Sequence, residues 1–132
     1  MDITYSIDNE LDLVVFEVKG QIEPQRFIDK LAKLQEKDWP NKVVWDLTGS
    51  ILAEYHKAEI DDLVYRVKGN PNPTARKVAL VVSDELSQAL MQMFKTLLEL
   101  SEHVSPHSVF NNLEEAYRWL DINSDSLTVI SN

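Results

Sequence analysis

An α/β fold, a mixed β-sheet with α-helices packed on it, is predicted by two features of the chain. Short β-branched runs alternate with amphipathic stretches of helical period, and the first two runs follow one another with no helix between them. At 132 residues the chain has room for one domain with a real core. Residues 1–121 make that domain, and 122–132 read as a polar C-terminal tail with a small apolar patch at "LTVI".

The elements follow in order. "ITYSID" (3–8) alternates as a short strand, Asn9 and Glu10 make a turn, and "LDLVVFEVKG" (11–20) is a second strand ending at a glycine, so an antiparallel hairpin is expected. Pro24 suits the first turn of a helix, because its missing N–H has no partner to lose there. Phe27, Ile28, Leu31 and Leu34 then repeat at helical spacing, and "KDWPN" stops the helix. "KVVWDL" (42–47) is an unbroken apolar run, the mark of a central strand covered on both faces. After a polar turn, a second helix starts near His56 with Ile60, Leu63, Val64 and Val67 on one stripe, and the Gly and Pro residues of 69–73 end it. "KVALVVS" (77–83) is a buried strand, and Leu86, Leu90, Met93, Phe94, Leu97 and Leu98 mark a long third helix. "HSVF" (107–110) is the last strand. Asn112 caps the last helix with Glu115 three residues on, and Leu113, Ala116, Tyr117 and Leu120 form its apolar face. The predicted order is ββαβαβαβα.

Composition narrows the function. Thirteen Lys and Arg stand against 22 Asp and Glu, a formal charge of −9, and the basic residues are scattered singly. Nucleic acid and anionic membranes are bound through clustered cations, so neither is an expected partner. With no cysteine, disulfides, thiolate metal sites and cysteine nucleophiles are excluded. "MDITYSIDNE" lacks the basic and apolar segments of a secretory signal, and no apolar run is long enough to span a bilayer, so a cytoplasmic protein without membrane insertion is expected.

Three stretches resemble the STAS domain, the fold of sulphate transporters and anti-sigma-factor antagonists. "VFEVKGQIEPQRFIDKL" is similar to its strand, glycine and first helix, "VVWDLTGS" to its Asp-Leu-Ser strand end, and "VFNNLEEAYRWL" to its closing strand and helix. The resemblance runs from about residue 3 to residue 121. Within it, "AYRWL" and the Met- and Phe-rich "ALMQMFKTLLEL" look like the small stand-alone SpoIIAA-like proteins, described as STAS or SEC14-like. The resemblance implies a binding or regulatory module without catalysis. In the antagonists a serine of an Asp-Ser-Ser-Gly motif is phosphorylated. Here "AEYHKAE" stands in its place, with Glu54 near the Asp and Tyr55 and His56 near the serines, so the phospho-switch does not carry over.

The candidate residues fall into two groups. Asp46 at a strand end and Ser83 after "ALVV" resemble the phosphoacceptor and hydroxyl of response-regulator receivers, and His56 could accept a phosphoryl group. Neither "VKGQ" nor "VFNN" supplies the acidic pair or the lysine that such a site needs, so Asp46 is read as bonding turn backbone. A phosphoacceptor or small enzyme using Asp46, His56 and Ser83 is the alternative function. The second group is expected to meet a ligand or partner: Ser50, Tyr55 and His56 around the second helix start, and Met91, Met93, Phe94 and Leu98 on the third helix. Apolar residues occupy more of that helix than one packing face requires, which suits a homodimer interface or an apolar pocket for a lipid-like molecule. His103 and His107 have a metal spacing, but Pro106 denies them a regular helix, and with three glycines no phosphate-cradling loop exists. No cofactor and no metal is expected. The function read from the sequence is non-catalytic binding of a protein partner or a small apolar ligand.

Overall fold

The structure, a computed structural model, describes residues 1–52, 55–68, 76–100 and 105–122. It has the predicted order: β1 (Asp2–Asp8), β2 (Leu13–Gln21), α1 (Pro24–Leu34), β3 (Lys42–Ile51), α2 (Lys57–Lys68), β4 (Lys77–Val81), α3 (Glu85–Glu99), β5 (His107–Phe110) and α4 (Leu113–Trp119). The five strands lie side by side in chain order, with β1 antiparallel to β2 and the remaining pairs parallel. Among the described residues no helix is long and apolar enough to cross a membrane. Gly69–Pro73, Glu54, His103 and the tail patch at "LTVI" lie outside the described residues.

Strand alternation sorts the core into two layers. Val14, Phe16, Val18, Val43, Leu47, Val78 and Leu80 point to one face, where Phe27, Ile60, Leu63, Leu90 and Phe94 from α1, α2 and α3 cover them. Val44, Ala79 and Val81 point to the other, where Ala116 and Leu120 of α4 pack with Leu13 and Ile122. Ile122, assigned from sequence to the tail, is buried, and its N–H bonds the Tyr117 carbonyl at 2.9 Å.

The expected end of β3 at residue 47 is corrected: the strand runs on to Ile51. Glu17 pairs with Asp46 but Lys19 with Gly49, so a bulge adds one residue to β3. Local side chains serve the disrupted ladder. Asp46 Oδ1 accepts from the Thr48 N–H at 3.1 Å and its hydroxyl at 2.6 Å, and the buried Ser50 hydroxyl donates to the Leu47 carbonyl at 2.6 Å. Gly20, with φ 89°, occupies a backbone conformation that side chains disfavour.

Side-chain caps fix the starts of α3 and α4. Asn112 Oδ1 accepts from the Glu115 N–H at 2.9 Å, as its spacing predicts. Asp84 holds α3 in the same way, accepting from the Ser87 N–H at 2.8 Å and its hydroxyl at 2.7 Å. Those bonds hold the Asp84 carboxyl below the usual carboxylate range. Asp84→Ala should cost about 1 kcal/mol in urea unfolding without changing the far-UV circular dichroism of the folded chain.

Candidate functional site

Three spaces among the described residues lie on the three-helix face. One cavity of about 70 Å³ is enclosed by Phe27 and Leu31 of α1, Leu63 and Val67 of α2, Met91 and Phe94 of α3, and Trp45 and Leu80 of the sheet. A second of about 90 Å³ adjoins it, between Phe16, Leu34 and Trp39 on one side and Arg76 and Ser105 on the other. Leu31, Trp45, Val67, Val78 and His107 line both. A wider, shallower groove of about 260 Å³ between β1 and α1 carries Lys30, Lys33 and Lys37 beside Ile3 and Tyr5.

An aromatic run builds one wall of the pair. Trp45 stacks on Phe16 with centroids 4.3 Å apart, Trp39 meets Phe16 edge-on at 5.0 Å, and Phe27 meets Trp45 at 5.7 Å. The residues after α1 set that wall, because the Trp39 indole N–H donates to the Leu34 carbonyl at 2.6 Å and so ties the turn to the helix end. The opposite wall has a polar exception. His107 Nδ1 lies 2.7 Å from the Ser105 carbonyl, and the Phe94 ring meets the imidazole edge-on at 5.8 Å. Burial pulls the His107 pKa below 6.5, and the bond to Ser105 only partly opposes it. A carbonyl can only accept, so Nδ1 carries the hydrogen and Nε2 is left with a lone pair.

The predicted site residues divide. Tyr55, Met91 and Phe94 line the first cavity. Burial, followed by the Glu59 charge, pushes the Tyr55 phenol up, so it stays protonated at neutral pH. Glu59 Oε2 is itself buried with no hydrogen-bond partner among the described residues. Leu98 is buried in the core cluster, whereas Met93 is 39% exposed on the outside of α3. Ser50 lies in β3 with its hydroxyl committed to the bulge, and His56 is exposed. Asp46 and Ser83 both reach Thr48, the Ser83 hydroxyl donating to its carbonyl at 3.3 Å, and His56 joins neither. Asp46 faces α4, where its charge adds to burial in raising the Tyr117 pKa. Trp45, Arg76 and His107 line the cavities without having been expected there. Alternation places Trp45 on a face with Val43 and Leu47, which was a usable signal, whereas His107 stood out only as half of a metal pair.

Comparison with protein-family models and with curated proteins finds no match to this chain.

His107 gives the site a pH signature. Its folded-state pKa is lowered, so below about 6.5 the unfolded chain takes up a proton that the folded chain refuses, and stability falls as pH falls. Thermal unfolding followed from about pH 8 to about pH 5 should show wild type losing stability relative to His107→Phe below the ordinary histidine value.

Proposed function

We propose that this chain is a non-catalytic binding module of the SpoIIAA-like type, and that its ligand is a small apolar molecule held in the paired cavities. The observation that carries this is the pair itself: two spaces that share Leu31, Trp45, Val67, Val78 and His107, the first walled also by Phe27, Met91 and Phe94 and the second by Phe16 and Trp39. Protein interiors are close-packed, and a small apolar molecule seated against the apolar walls of the space of about 70 Å³ would take them out of water. A binder is favoured over a phosphoacceptor because Asp46, whose Oδ1 accepts both Thr48 bonds, lies on the α4 side of the sheet, away from the cavities. Val67, half-buried on α2, lines both spaces, so Val67→Phe should fill them. Native mass spectrometry of protein purified from its host should show a retained small molecule on wild type and none on Val67→Phe, with far-UV circular dichroism unchanged. Wild type carrying no adduct and giving no thermal shift with small apolar compounds would refute the reading.

One observation favours self-association as a second reading. Leu86, Met93 and Leu100 are 55%, 39% and 79% exposed, and their heptad spacing aligns them in one row along α3. The surplus apolar residues that face outward are these, and not Met91 or Leu98, which are buried. If a dimer forms, Leu86→Gln with Met93→Gln should raise its dissociation constant at least about tenfold in sedimentation equilibrium. Equal monomer mass for both proteins at every concentration would remove this reading.

A further inference from the structure

We propose that the cavity ligand is a neutral, flat ring bearing one hydrogen-bond donor, an O–H or N–H, which it gives to His107 Nε2; this rests on the cavity reading above. The argument starts from what His107 has left to offer. Its Nδ1–H is used by the Ser105 carbonyl, and the ring's other described contact is the edge-on packing of Phe94. Nε2 therefore has no protein partner among the described residues. The imidazole lines both cavities, and with Nδ1 turned to the Ser105 carbonyl, Nε2 is the ring nitrogen left for a ligand there.

Size and wall chemistry define the rest of the ligand. The cavities measure about 70 and 90 Å³. Together they are on the scale of the roughly 150 Å³ apolar cavity that accepts benzene in another protein. Stacked Phe16 and Trp45, with Phe27 and Phe94 nearby, offer ring faces and edges to a planar guest. A phenol or an indole meets these terms. Neutrality follows from the surroundings. The chain carries a charge of −9, and although Arg76 lines the second cavity, no charged group figures among the influences on the His107 imidazole, so a negative charge placed at that nitrogen would lack a counter-charge. A neutral imidazole accepts a hydrogen bond where its protonated form would donate.

The test pairs para-cresol with para-xylene, which have nearly the same shape but differ in the donor. NMR titrations of wild type and His107→Phe give the ratio of the two affinities in each protein. The ratio, and not the cresol affinity alone, is the readout, because xylene is the less well hydrated of the two. In His107→Phe the cresol-to-xylene ratio should fall roughly three- to tenfold, the loss of one net hydrogen bond. A second measurement needs no variant: the imidazole Nε2 nitrogen resonance of wild type should move with para-cresol and stay in place with para-xylene. If both compounds bind with an unchanged ratio and a stationary nitrogen resonance, the donor assignment is overturned and the cavity reading stands. If neither compound binds wild type, the cavity reading fails and takes this one with it.

Discussion

Strand order is the constraint on which the rest of this molecule depends. The parallel strands β2 to β5 step across the sheet in one direction, in chain order. Parallel crossovers are right-handed, so successive steps in one direction put their helices on the same face. That is where α1, α2 and α3 lie, sharing one core cluster, while α4 has the opposite face to itself. The asymmetry follows. One layer is thick, with three helices over a twisted sheet, and the cavities open where their apolar stripes converge above Trp45. The other is thin, and Thr4, Ser6, Glu17 and Thr48 are the short or polar residues found toward its β1 and β2 side.

Within that frame, several polar groups near the core have a local job. Asp46 and Ser50 serve the bulge, Asp84 and Asn112 serve helix starts, and the Trp39 indole serves a helix end. The stretch "VVWDLTGS" has the outline of a phosphate or catalytic site, yet its side-chain hydrogen bonds stay local: Asp46 accepts from Thr48, and Ser50 donates to the Leu47 carbonyl. His107 differs because, among the described residues, one of its nitrogens has a partner and the other has none.

Much of this fold was legible in the sequence, because apolar period is a direct imprint of burial. The stripe Ile60, Leu63, Val64 and the run "VVW" announce their elements, and the hairpin spacing announces the antiparallel pair. The extension of β3 was not legible. Thr48, Gly49 and Ser50 are turn formers by local preference, and the pairing of Gly49, Ser50 and Ile51 with Lys19, Gly20 and Gln21 across a bulge overrides it. The cavity was legible only in part. Met91 and Phe94 declare an apolar surface, but a hole arises from how three helices fail to meet, a property of their relative positions that no single segment contains. Period likewise marked the surplus on α3 without telling Met91, which is buried, from Met93, which is not.

The ordering of strands also bears on how the chain assembles as it leaves the ribosome. Each new strand docks against the one made just before it, so the β1–β2 hairpin seeds a sheet that grows outward at a single edge. Nascent β3 and β4 need not wait for a distant segment to be inserted between them, and loop closure stays short at each step. The thin layer is the exception. Val44, Ala79 and Val81 remain open on their second face until residues 113–122 have been synthesised, and Leu13, near the beginning, is covered by the same late segment. A chain lacking residues 113–122 would keep its three-helix side covered and leave the Val44, Ala79 and Val81 side bare, the kind of apolar surface through which partly folded chains stick to one another.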